Sequence, residues 1–306
     1  MYLYFLIFLI YYKMSNYGFS LNTGRRIAEL ITNNKKNNKS IYLYNPKYIG
    51  CSDCKNTKSC KCHNGGCCTL NYHKGAEEVY NILNSPPSTK FMISPTNIPH
   101  NVSNIFITGS QGSGKSIFCR DYLKVFLNLH SDTPVILISE GEKDDALDPY
   151  ITKRIMPKSI IEEDLKFSDF QDISNDYGQL VIIFDDIDAL PTDKKNNIKK
   201  ATYDLMNSII NNSRKYNIHV IFTSHNALEN HYTGTMIRSC SNWVFFTQTA
   251  NKNIERCAST YFDLDLNKFK KVKKMAEEEN SHWISVCNTI PKCIITEHSI
   301  YKIDDI

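Results

Sequence analysis

Two short stretches hold the residue types that phosphate chemistry needs. The first is GSQGSGKS: Gly109, Ser110, Gln111, Gly112, Ser113, Gly114, Lys115 and Ser116. It fits the spacing G-x-x-x-x-G-K-[ST], with an apolar run before it and helical sequence after it. Glycines permit a tight turn whose backbone N–H groups point inward at a helix N-terminus, where they favour an anionic phosphate. Lys115 would reach the β- and γ-phosphates, and Ser116 would ligate Mg²⁺. The second stretch is LVIIFDD (180–186), an apolar strand ending in two carboxylates. Asp185 is expected to hold the Mg²⁺ through water, and Asp186 to polarise the attacking water as general base. A structural carboxylate or helix cap is the other reading of Asp186, and Asp188 reads as an ordinary loop carboxylate. No guanine-reading N-K-x-D run is present, so ATP is the expected nucleotide.

These groups need strands and helices to hold them. Apolar runs short enough for buried parallel strands occur at NIFITG (104–109), PVILIS (134–139), LVIIFDD, HVIFTS (219–224) and NWVFFTQ (242–248). Helical sequence fills Lys115 to Leu129 and Asp193 to Tyr216, the latter with Ile198, Leu205, Met206 and Ile209 on one face. Alternating strands and helices imply an α/β fold with a parallel central sheet covered on both sides. The strand PVILIS between the two motifs, and the acid directly after Asp185, resemble the additional-strand (RecA-like) class of P-loop NTPases.

Residues 213–246, SRKYNIHVIFTSHNALENHYTGTMIRSCSNWVFF, carry a more specific resemblance. Arg214 precedes a strand that begins at His219 and ends in TSH. Thr233, Gly234, Ile237 and Arg238 then lead into the strand NWVFF. With Asp185–Asp186, this order resembles the FtsK–HerA superfamily, most closely the A32-type genome-packaging ATPases of large DNA viruses. The resemblance covers residues 101–250. It implies an ATP-driven motor that packages a viral genome, a homo-oligomeric ring around double-stranded DNA, and a capsid or portal component as partner. The setting it implies is a virion or the cytoplasmic viral factory of an infected cell. It also implies that Arg214 and Arg238 stabilise transition-state charge on a neighbour's γ-phosphate; solvated helix-end cations are the alternative for both. The family usually has Gln after the fourth strand. Here His225 takes that place as the γ-phosphate-sensing candidate, with Ser224 as substitute. His219 reads as a satisfied structural histidine. Such a motor grips phosphates without reading bases, and its candidate cations are Lys194, Lys195, Lys199, Lys200 or the run NKFKKVKK (267–274), with a solvated helix face as the default reading of both. A helicase, or a scaffold that only holds nucleotide, are the competing functions.

Outside that core the chain changes character. Residues 1–100 carry 12 Lys/Arg against 4 Asp/Glu, and residues 101–306 carry 24 against 28, so a basic end is joined to a mildly acidic body. Six of 11 cysteines fall in one cluster, Cys51, Cys54, Cys60, Cys62, Cys67 and Cys68. That clustering points to a metal knot in a reducing compartment rather than a disulfide framework. Zn²⁺ suits these thiolates, with an Fe–S cluster or unligated thiols as alternatives. The opening MYLYFLIFLIYY is shorter than the roughly 20 residues of a bilayer span. An anchor, a buried element and an upstream extension with Met14 as the start are its three readings. The expected division is an apolar start and basic flexible arm (1–40), a Cys-rich zinc module (41–84), a linker (85–100), the ATPase core (101–260) and a C-terminal extension (261–306).

Overall fold

Apolar runs with both faces buried set the architecture. In chain order the elements are β1 (Gly18–Ser20), β2 (Arg25–Ile31), β3 (Lys39–Tyr44), β4 (Ile82–Asn84), β5 (Lys90–Ile93), β6 (Ile105–Thr108) and α1 (Lys115–Leu129). Then come β7 (Val135–Ile138), β8 (Lys153–Ile155), α2 (Ser159–Glu162), α3 (Phe167–Tyr177), β9 (Leu180–Phe184), α4 (Ile198–Tyr216) and β10 (Ile218–Ser224). The chain closes with α5 (Gly234–Ser239), β11 (Asn242–Phe246), α6 (Lys252–Tyr261), α7 (Leu266–Glu278), β12 (Trp283–Cys287), β13 (Cys293–Thr296) and β14 (Ser299–Lys302). This is a computed structural model, and it describes residues 17–22, 24–32, 38–44, 80–98, 101–192, 197–228, 233–249 and 252–306. The apolar start, the six clustered cysteines, Lys194 and Lys195 lie outside the described residues.

The main sheet runs β4-β14-β13-β12-β11-β6-β10-β9-β7-β8. From β11 to β8 all pairings are parallel, as the alternation of strands and helices requires. Along β9, Ile182 and Phe184 face one apolar layer while Val181 and Ile183 face the other. The first layer is closed by α3, α4, α6 and α7, and the second by α1 together with the small sheet. Each fully buried Ile or Phe of this kind contributes about 1.5–3 kcal/mol. Phe106 stacks on Phe222 at 5.3 Å between ring centroids, which locks β6 against β10. No helix among the described residues is long and apolar enough to cross a membrane.

In space β10 lies between the P-loop strand β6 and β9, and the PVILIS strand, which precedes β9 in sequence, lies beyond it as β7. The structure differs from the sequence reading in two places. The stretches read as flexible arm and linker hold β2, the start of β3 and β5, which form an antiparallel sheet β1-β3-β2-β5. Polar residues around them hid short buried runs, Ile27 and Ala28 in β2 and Phe91, Met92 and Ile93 in β5. The main sheet also continues past residue 260. Strand β12 pairs antiparallel with β11, and β13, β14 and β4 follow it.

Candidate active site

The parallel strands β6, β9 and β10 end side by side, so the loops that follow them meet at one edge of the sheet. Gly109 follows β6, and its N–H donates to the Ser224 carbonyl at the end of β10, at 3.1 Å. A Cβ on Gly109 would lie 2.4 Å from Ser113 Oγ and 2.7 Å from Phe246, so this crossing admits only glycine. Gly114 turns the chain into α1 with φ 105, a left-handed conformation that costs glycine little. Helix α1 starts with no side-chain cap and no acidic residue in its first turn. Its N-terminal N–H groups and dipole are therefore available to an anion. The buried Ser113 hydroxyl has no hydrogen-bond partner, a further polar atom on this cradle. These features fit a bound polyphosphate.

Lys115 is buried and folds across the loop. Its Nζ donates to the Gly109 carbonyl at 3.0 Å and pairs with Asp186 Oδ1 at 3.2 Å. Asp185 accepts hydrogen bonds from Thr223 Oγ1 at 2.7 Å and from Ser139 Oγ at 3.2 Å. Burial pushes the Asp185 carboxyl above its ordinary range; the Thr223 hydrogen bond opposes this and the Asp186 charge adds to it. Thr223 Oγ1 also lies 3.1 Å from Asp186 Oδ1 and accepts the Asp186 N–H at 2.9 Å. One hydroxyl thus holds both adjacent carboxylates in place.

Asp188 is not the ordinary loop carboxylate its position implied. Asp186 takes φ 48, and the turn it starts carries the Asp188 side chain inward until it is 2% exposed. Its Oδ2 accepts the N–H groups of His225 and Asn226 at 2.9 and 3.2 Å. Its Oδ1, which has no hydrogen-bond partner, lies 3.4 Å from His225 Nδ1. On the other side His225 Nε2 lies 3.5 Å from Asp186 Oδ2. The imidazole therefore stands between the two carboxylates. Ser224, the substitute sensor, turns its hydroxyl to the Asn226 carbonyl at 2.8 Å and away from the carboxylates.

Lys115, Asp185, Asp186 and His225 are brought together; Ser116 sits beside them on α1, and Ser110 and Gln111 lie on the exposed tip of the loop. Arg214 and Arg238 are not there. Both are exposed and line a cavity at the opposite edge of the sheet, where β6, β10 and β11 begin. His219 is buried and neutral, its Nδ1 accepting the Ser103 N–H at 3.0 Å, and burial drives its pKa down to about 3. Among the lysines offered to DNA, Lys199 is buried and donates to the Asp188 carbonyl at 2.7 Å, because the α4 face that carries it packs inward. In α7, Lys268 and Lys271 bond to the Ile303 and Ile306 carbonyls. Sequence reasoning missed Thr223, Ser139 and Asp188; the signal for the first two was a hydroxyl at the polar end of an apolar strand.

A family model described as the AAA domain matches residues 100–230. The chain is a P-loop ATPase. It is 26% identical over 214 residues to the uncharacterized protein V3 of Sputnik virophage, spanning 69% of this chain and 81% of that protein. The domain match bears out the P-loop ATPase core that the motifs imply, and the relative is viral. In fold the ATPase is similar to the genome packaging NTPase B204 of Sulfolobus turreted icosahedral virus 2. That likeness has a TM-score of 0.44 at 15% identity and covers 63% of this chain and 97% of that one. It is also similar to the pCW3 conjugation coupling protein TcpA, with a TM-score of 0.44 at 11% identity over 91% of this chain and 78% of that one.

Proposed function

We propose that this ATPase is a motor that pulls double-stranded DNA into a viral capsid, working as a homo-oligomeric ring in a virion or viral factory. The observation that supports it is the order of its motif blocks along one parallel sheet. The P-loop follows β6, the paired acids follow β9, TSH ends β10, and the Thr233–Arg238 segment leads into β11.

In this reading Lys115 exchanges Asp186 for the γ-phosphate when ATP binds, which frees Asp186 to take a proton from the attacking water. Ser116 and Asp185 would hold Mg²⁺, which when bound would supply neutralising charge to the phosphate oxygens. Thr223 and Ser139 keep Asp185 oriented for that role. His225, fixed by Asp188, reports the state of the γ-phosphate to the end of β10. A 660 Å³ cavity that touches Ser113 and Gly114 and is walled by Phe246 and Trp283 offers an aromatic, apolar seat for adenine. Because Arg214 and Arg238 lie across the sheet from Lys115, any contact they make with a γ-phosphate is with a neighbour's. Zn²⁺ on Cys51, Cys54, Cys60, Cys62, Cys67 and Cys68, and a capsid or portal component as docking partner, complete the proposal.

A motor on intact duplex displaces a triplex-forming strand ahead of it and leaves a forked duplex paired. Displacement of the third strand with ATP is the expected result. Separation of the forked duplex instead would make the protein a helicase.

A further inference from the structure

A cavity of about 460 Å³ opens at the sheet edge remote from the P-loop, where β6, β10 and β11 begin. Four arginines line it: Arg25 and Arg26 from β2, Arg214 from the last turn of α4, and Arg238 from the last turn of α5. No Asp or Glu is among the described residues of its lining. Elsewhere Arg120 and Arg154 have carboxylate partners, Asp121 and Asp148. The hydrogen bonds of Arg25 and Arg26 go instead to neutral carbonyls, with the Glu29 carboxyl of the same strand the acidic group that feels the Arg26 charge. Arg25 Nη1 and Nη2 reach the Ile290 and Thr289 oxygens at only 3.3 and 3.5 Å, and its buried Nε has no hydrogen-bond partner. Arg26 Nε donates to the Pro95 carbonyl at 3.0 Å. A carbonyl satisfies an N–H without cancelling the guanidinium charge, so four such cations around one cavity whose described lining holds no carboxylate favour an anion within it. The guanidinium fork matches the oxygens of a phosphoryl group, which it can hold through two parallel N–H···O bonds.

We propose that this cavity is a second phosphate site, a receptor for a phosphoryl oxyanion built by Arg25, Arg26, Arg214 and Arg238. It shares no residue with the P-loop, and Arg25, Arg26 and Arg238 lie outside the AAA-domain match. It rests on the reading above only in giving Arg214 and Arg238 a ligand of the same chemistry. The small N-terminal sheet then has a direct purpose, because β2 carries two of the four cations into the cavity. The phosphoryl group comes either from a free anion in solution or from nucleotide presented by a second copy of this chain.

The test uses the full chain with Lys115→Ala, which silences the P-loop, titrated with inorganic pyrophosphate by calorimetry at physiological salt. Expected is one bound pyrophosphate, weakened at least tenfold by Arg25→Gln with Arg26→Gln and less by Arg25→Lys with Arg26→Lys, whose melting temperatures report folding. Absence of binding to the Lys115→Ala chain, or binding unmoved by both double variants, overturns the site. Sedimentation of the otherwise wild-type chain loaded with ATPγS then identifies the source. Loss of larger species in the Arg25→Gln, Arg26→Gln variant assigns the cavity to a neighbour's nucleotide, and unchanged sedimentation assigns it to a free anion. Neither measurement uses DNA, so failure of DNA translocation would leave this result standing.

Discussion

Asp188 and His225 carry the consequence at residue scale that the motifs do not spell out. Asp188 touches none of the expected reacting groups, yet it accepts two backbone N–H groups from the end of β10 and faces the imidazole that borders Asp186. It is a positioning residue. Asp188→Asn keeps the shape and removes the charge, and one amide group must then meet two N–H donors and the ring. Expected is a fall in kcat of about tenfold, equivalent to about 1.4 kcal/mol, with KM for ATP little changed. A loss of stability of about 1–3 kcal/mol in denaturant unfolding should accompany it. Steady-state ATPase kinetics check it, and an unchanged kcat would reduce Asp188 to a structural cap. The P-loop glycines, Lys115 and the Asp185–Asp186 pair were legible in the sequence because local spacing alone builds them. The Asp188 contact was not, because it depends on the left-handed turn at Asp186, which spacing does not announce.

At element scale, the strands that hold the site were legible from apolar runs bounded by polar residues, and α1 matches its expected span residue for residue. What composition concealed were strands whose burial depends on partners distant in sequence. Strand β5 lies in a Pro- and Ser-rich stretch and acquires its pairing from β2. Strands β12 to β14 are antiparallel additions with no helix between them, so the βαβ rhythm does not reveal them. Glu297 fastens this addition to the small sheet. It accepts hydrogen bonds from Lys90 Nζ at 2.8 Å and the His282 N–H at 2.7 Å, while its carbonyl takes the Phe91 N–H at 2.7 Å. Burial raises the Glu297 pKa, but its bonds to Lys90 and His282 outweigh that and hold the carboxyl below its ordinary range. Its contribution is therefore present above the ordinary carboxylate pKa of about 4.3 and lost as pH falls through the lower folded value. Lys90 is half-exposed, so screening keeps the charge interaction small. Glu297→Gln should cost about 1 kcal/mol at neutral pH, and the gap to wild type should shrink in acid. Chemical denaturation at several pH values checks this; a gap independent of pH would assign the contact to packing alone.

At the scale of the whole molecule, the sheet separates two cation-bearing sites. Its C-terminal edge carries the P-loop, the paired carboxylates and His225, and the opposite edge carries the four-arginine cavity. A single subunit cannot bring Arg214 or Arg238 to its own Lys115 without unfolding the strands between them. On the proposed function, a ring in which one subunit's arginine edge met the next subunit's P-loop would give both edges work in one ATP cycle, and DNA through its centre would give that cycle a load. The most direct measurement is Mg²⁺-dependent ATP hydrolysis by the full chain with and without long double-stranded DNA, beside Lys115→Ala and Asp186→Asn. The expected result is hydrolysis that rises with duplex DNA and falls at least 100-fold in either variant, about 2.7 kcal/mol of transition-state stabilisation. Hydrolysis indifferent to duplex DNA, or surviving both substitutions, would contradict the account of a DNA-pumping ATPase.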